Sequence, residues 1–218
     1  MREQYHKQLE ILHTELILMG ALCEDAIVSA VKGLLNGEAA LREKAIGLEK
    51  EIDMKERDIE AICVKLLLRE QPVAGDLRQI TAAQRMITDM ERIGDQAEDI
   101  AELAGFIAEH GDLDPVGSLH IGDMAWEASR MLTASVDSFV EADLAKAKNV
   151  ILSDDIVDSL FIKIKGELID YIAQNPGNGE TSLDFLMIAK YLERIGDHAV
   201  NIAEWVVYSI TGSRRIPD

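Results

Sequence analysis

The sequence predicts an all-α protein built as two tandem antiparallel three-helix bundles, the product of an internal duplication. Three observations predict it. Only 4 prolines and 15 glycines fall among 218 residues, leaving long stretches rich in Ala, Leu, Ile, Glu and Lys, which favour helix. Apolar residues recur every three or four positions through nearly all of these stretches, the period of an amphipathic helix. The pentapeptide Glu-Arg-Ile-Gly-Asp is written twice, at 91–95 and at 193–197, an offset of 102 residues.

The elements follow from the breaks between them. A first helix over 2–35 runs to the turn signal Asn36-Gly37, and a second over 38–70 ends in "QPVAGD" at 71–76, where Pro and Gly stop helical geometry. A third over 76–109 stops at "HGDLDPVG", 110–117. A fourth over 116–140 gives way at Glu141-Ala142, a fifth over 143–174 meets "NPGNG" at 175–179, and a sixth runs over 180–211. The stretch 34–53 aligns with 139–158 at an offset of 105, so the helices group as three plus three. The first repeat covers 1–110, the second 115–211, and 212–218 is a short polar tail; "HGDLDPVG" is the seam. Helices of about 30 residues are roughly 45 Å long, and short connections make neighbours antiparallel.

Composition narrows the function. With 40 acidic against 22 basic residues the formal charge is −18, which argues against a nucleic-acid surface and for cations or basic protein surfaces as partners. Cys23 and Cys63 are the only thiols, with no CxxC and no apolar secretory segment at the start, so a reducing cytoplasm is expected. The apolar run "LILMGALC" at 16–23 is bounded by Glu15, Glu24 and Asp25 and is far shorter than the roughly 20 residues of a membrane span. Any membrane contact is expected to go through a partner.

The acids near the repeated pentapeptide carry the candidate site. At about 100° per residue, Ile80, Ala83, Ile87, Met90, Gly94, Ala97 and Ala101 form one buried seam, with Glu91, Asp95, Asp99 and Glu102 beside it. The second copy repeats this with Glu193, Asp197, Asn201 and Glu204 bordering Ala189, Leu192, Gly196, Ala199 and Ala203. The preceding helix of each half has its own pair of the same form, Glu49 with Asp53 and Asp154 with Asp158.

One such pair means little, because 40 acids in 218 residues give about seven by chance. Register is more telling. Folding the first hairpin about residue 74 puts Asp53 and Asp95 each 21 residues from the turn, and folding the second about 177 puts Asp158 and Asp197 at 19 and 20. Four carboxylates at one level repel unless a cation lies between them. Oxygen-only ligands suit hard ions such as Mg, Ca, Mn or ferric iron.

Plainer readings stand beside this one: solvated acidic helix faces, and Gly94 and Gly196 as simple close contacts between helices. Arg92 and Arg194 read as solvated, without a role in the chemistry. His6 and His13 end two Glu-x-x-His patterns, but on one helix, unlike ferritin-like di-iron bundles. No phosphate loop, nucleophile elbow or zinc-protease motif occurs, so the chain is not expected to be an enzyme.

The duplicated "ERIGD" followed by an acid or amide and "IAE", the "REQPVAGDLRQI" turn at 69–80 and the acid-x-x-x-Asp pairs together resemble the PhoU family along essentially the whole chain. The resemblance implies two three-helix bundles and metal ions or iron clusters on Glu49, Asp53, Glu91, Asp95, Asp154, Asp158, Glu193 and Asp197, with Asp99 and Asn201 at the flanks. It also implies a cytoplasmic negative regulator of phosphate uptake and the phosphate-starvation response, a homodimer or larger, linking a phosphate ABC transporter ATPase subunit to a phosphate sensor histidine kinase. A carboxylate-bridged iron store, or a paralogue with another regulatory duty, remains the alternative. Asn201 in place of Asp99 and Phe161 in place of Glu56 lead us to expect weaker or fewer ions at the second site. A chain at −18 is not expected to hold bare phosphate tightly.

Overall fold

The computed structural model describes residues 2–69, 72–111 and 119–214 and forms six helices in the order expected. They are α1 (Arg2–Leu35), α2 (Ala39–Arg69), α3 (Ala74–His110), α4 (Ile121–Val140), α5 (Leu144–Gln174) and α6 (Gly179–Thr211). One 3-10 turn, Pro176–Asn178, lies between the last two. The expected seam at 110–117 falls mostly on 112–118, outside the described residues, and α4 begins at Ile121 rather than 116. The third helix starts two residues earlier than expected, where the Asp76 carboxylate accepts the backbone N–H of Val73 at 3.2 Å and closes its first turn.

The duplicated turns share a geometry but not a residue. Gly37 has φ 67° between α1 and α2, and its counterpart at the 105 offset, Ala142, has φ 52° between α4 and α5. Glycine takes that left-handed conformation without penalty and alanine does not. Asp143 then caps α5, its side chain accepting from the backbone N–H groups of Ala145 and Lys146 at 2.9 and 3.0 Å.

Within each half, neighbours run antiparallel. Lys44 and Lys55 of α2 pair with Asp25 and Glu15 of α1, each at 2.7 Å, and Arg130 of α4 reaches Ser153 of α5. The two halves then join along α3 and α6, which also run antiparallel. Arg78 of α3 donates to the backbone oxygen of Ser209, Arg85 stands 5.8 Å from the Trp205 ring centroid, and Asp89 bonds His198 and Asn201. On another face Gly20 of α1 meets Val136 of α4 and Thr133 bonds Glu24.

The inner helices α1, α3, α4 and α6 therefore share one apolar core that continues through both halves, with α2 packed on α1 and α3, and α5 packed on α4 and α6. Every apolar residue of the expected α3 seam is buried, but so are Ala82, Met86, Ile93, Ile100, Ala104 and Ile107 on other faces of the helix. Those additional faces exist because α3 is packed against α1 and α6 as well as α2. Among the described residues, no helix is long and apolar enough to cross a membrane.

Candidate metal centre

The duplicated glycines set the spacing of the site. A Cβ built on Gly94 meets Ile52 of α2 at 3.1 Å, and one built on Gly196 meets Val157 of α5 at 3.2 Å, so each central helix lies close against its outer neighbour. Ile52 and Val157 immediately precede Asp53 and Asp158. Close packing at that level thus brings the acids of the two helices to the same height.

The first acid row runs along the α2/α3 groove. Burial raises the Glu49 carboxyl above the usual range, and Asp53 on its own helix and Asp95 on α3 push it further. Glu91 is raised by burial, then by Asp95, Glu56 and Asp53, against the lowering effect of Arg92. Glu56 is raised by burial, Asp53 and Glu60, and its carboxylate lies 3.5 Å from the Thr88 hydroxyl. Glu98, absent from the sequence-based set, extends the row at the other end, raised by burial and then by Glu49 of the facing helix.

The second row lies between α5 and α6. Asp154 is pushed up to about 6 by burial first, then by Asp158, Asp197, Asp155 and Glu193. Asp197 is raised by burial and Glu193, with Lys190 acting the other way. The four acid-x-x-x-Asp pairs are thus brought together two by two, as the hairpin register implies.

Two residues of the sequence-based set go elsewhere. Asp99 is raised by burial, Glu102 and Asp95, and its cation is Arg194 of α6. Asn201 donates to Asp89 of α3 at 3.2 Å, beside the His198 Nδ1 contact to the same carboxylate at 2.9 Å. Both therefore look across the boundary between the halves, because position 99 lies about 80° around the helix from Glu91, towards α6 rather than α2.

Basic side chains hold several of the acids. Arg92, expected to be simply solvated, pairs with Asp95 at 2.8 Å and with Glu91 at 3.4 Å. Arg57 pairs with Asp53 at 3.2 Å, and Lys190 pairs with Glu193. As the side chains stand, no three His, Cys, Asp or Glu groups among the described residues converge closely enough to hold one ion. The donors nonetheless fit a hard cation in chemistry: they are carboxylate oxygens contributed by two facing helices at one level, and Glu49, Glu91, Asp154 and Asp197 are raised by burial and in part by neighbouring carboxylates.

Other features lie apart from these rows. His13, half-buried, packs edge-on against Phe139 at 5.7 Å, and burial lowers its pKa. A groove of about 620 Å³ between α1 and α4, walled by Val28, Val31, Ala125 and Trp126, contains none of the paired acids.

The PhoU domain family profile matches residues 16–104 and again 121–206, one match per half. The chain belongs to the PhoU family. It is 33% identical over 211 residues to the phosphate-specific transport system accessory protein PhoU homolog of Pseudomonas aeruginosa, covering 97% of this chain and 87% of the relative. The PhoU homolog of Clostridium acetobutylicum is 35% identical over 214 residues, covering 98% and 97%.

Among solved structures, PhoU from Pseudomonas aeruginosa superposes with a TM-score of 0.86 at 31% identity, covering 96% of this chain and all of that one. The phosphate transport system regulatory protein PhoU from Streptococcus pneumoniae shares the fold, with a TM-score of 0.85 at 24% identity over 98% of this chain. The expected all-α, duplicated PhoU architecture is the observed one.

Proposed function

We propose that this PhoU-family protein is a cytoplasmic negative regulator of phosphate uptake and of the phosphate-starvation response. It acts, as a homodimer, as a metal-binding adaptor between a phosphate ABC transporter ATPase subunit and a phosphate sensor histidine kinase. The observation that carries the regulatory reading is kinship along 97–98% of this chain with proteins named as accessory to phosphate-specific transport.

The metal part of the proposal assigns Glu49, Asp53, Glu91 and Asp95 to one site and Asp154, Asp158, Glu193 and Asp197 to the other. Asp99 and Asn201 lie at the margins. Facing carboxylates raised by burial and by one another support it. A bound Mg, Ca, Mn or Fe ion would relieve that repulsion and tie each outer helix to its central one. The ion supplies positive charge; no reaction is assigned to it, and the protein is read as a regulator rather than an enzyme.

Deletion of the gene in a strain carrying a phosphate-starvation reporter tests the regulatory reading. Expression at high phosphate is expected; continued silencing in the mutant overturns it. Metal analysis of protein purified without chelator or nickel resin tests the site. Metal-free protein whose melting temperature is unchanged by Mn, Fe or Mg sinks that part alone.

A further inference from the structure

The two acid rows differ in length, and the difference sits at their ends. Superposing the copies at offsets of 105 for the outer helices and 102 for the central ones places Phe161 where the first row has Glu56. It also places Lys190 where the first has Thr88, and Val200 where it has Glu98. In the first row, Glu56 and Glu98 extend the carboxylates beyond the four paired acids: Glu98 feels Glu49 across the groove, and Glu56 of α2 acts across it on Glu91 and lies 3.5 Å from the Thr88 hydroxyl. In the second, Lys190 pairs with Glu193 and lies 5.6 Å from the Phe161 ring centroid.

The bases around the rows differ too. Arg57 and Arg92 of the first row are long, with side chains 72% and 56% exposed, so an incoming ion can displace them to water at little cost. Lys50 beside Glu49 becomes Asp155 beside Asp154; the rim of the second row is thus no less acidic. What changes is the end of the row: an ammonium stacked on an aromatic face, an arrangement that strengthens as it is desolvated, stands where the first row offers a carboxylate.

We propose that Lys190, braced by Phe161, is a resident cation that confines the second site to the four acids Asp154, Asp158, Glu193 and Asp197, so that it takes fewer metal ions than the first. The proposal rests on the metal-binding reading given above. It makes Lys190 a residue that sets stoichiometry, not a ligand. The first row, open at both ends, accommodates additional ions along the α2/α3 groove.

Mn2+ binding to the full-length chain, followed by calorimetry and by elemental analysis after gel filtration, tests this. With the first row disabled by Asp53→Asn and Asp95→Asn, the further pair Lys190→Thr and Phe161→Glu is expected to bring about a doubling of retained Mn2+, with spin coupling between neighbouring ions in the electron paramagnetic resonance spectrum. Conversely, with Asp158→Asn and Asp197→Asn, adding Thr88→Lys is expected to lower the Mn2+ held by the first row. Circular dichroism checks each variant's fold, and Lys190→Thr alone serves if the larger combination does not fold. Unchanged stoichiometry and affinity in both directions overturn the role of Lys190 while leaving metal binding intact. Absence of Mn2+ binding by the unmodified chain overturns the metal reading and this inference together.

Discussion

Gly94 of α3 lies so close to Ile52 of α2 that a Cβ on the glycine would stand 3.1 Å from the Ile52 Cδ1 atom. An alanine there gains about 1 kcal/mol of helix propensity and loses some of it to the squeeze, so Gly94→Ala is expected to be nearly neutral. Gly94→Leu is expected to cost about 1–3 kcal/mol through overpacking, and Ile52→Ala in the same chain to recover part of that. Urea denaturation of the four chains reads the coupling directly; strict additivity would mean that the two residues do not share this space.

Ala142 carries the opposite expectation. Its φ of 52° is a conformation that costs an L-residue roughly 1 kcal/mol, and glycine already holds the equivalent turn at Gly37. Ala142→Gly is expected to stabilise the protein and raise the melting temperature by about 2–4 °C for roughly 1 kcal/mol at this size. A lower melting temperature would show that the loop entropy of the unfolded glycine chain outweighs the relief.

The acid rows make the metal-free protein sensitive to pH. Asp154 is raised from 3.8 to about 6 in the folded chain, so between those values the folded state holds more protons than the unfolded one. Stability therefore falls as pH rises through that window, and the penalty is complete above it. Asp154→Asn removes this contribution, and thermal melts from pH 4 to 7 in chelator are expected to be flatter for the variant. Equal slopes for the two proteins would refute the assignment.

The polar contact between the halves is open to the same treatment. Asp89, with 16% of its side chain exposed, accepts from both His198 and Asn201; Asp89→Ala is expected to cost about 1–3 kcal/mol by leaving partners unsatisfied. Asn201→Asp sets a second carboxylate against Asp89, destabilising the chain at neutral pH and less so on acidification, when the pair takes up a proton. Stability of that variant that does not recover at lower pH would contradict this.

The two thiols give a simpler prediction. Cys23 and Cys63 are buried, and burial pushes Cys63 up to about 12 and Cys23 higher still. Neither is expected to react with a thiol reagent in the native protein, and both should react in denaturant. Rapid labelling of the folded chain would argue for local opening of α1 or α2.

Much of this architecture was legible because helical period and turn chemistry are local. The breaks at Asn36-Gly37 and "NPGNG" and the seam from Ile80 to Ala101 were all readable. The additional buried faces of α3, carrying Ile93 and Ile100, were not, since they depend on α1 and α6 arriving from elsewhere in the chain. The paired acids were readable because an antiparallel hairpin converts distance from its turn into height. Arg92, Glu98 and Lys190 needed the neighbouring side chains, although aligning the copies would have shown Thr88 opposite Lys190.

Residue 89 of the first copy touches Asn201, the counterpart of 99, while Asp99 influences Tyr191, the counterpart of 89. Reciprocity of this kind is what an isologous dimer contact produces. The boundary between the halves thus has the form of a subunit interface made permanent by a covalent tether. Once tethered, the two copies no longer had to stay identical, and a lysine in one and a threonine in the other became compatible with a single folded chain.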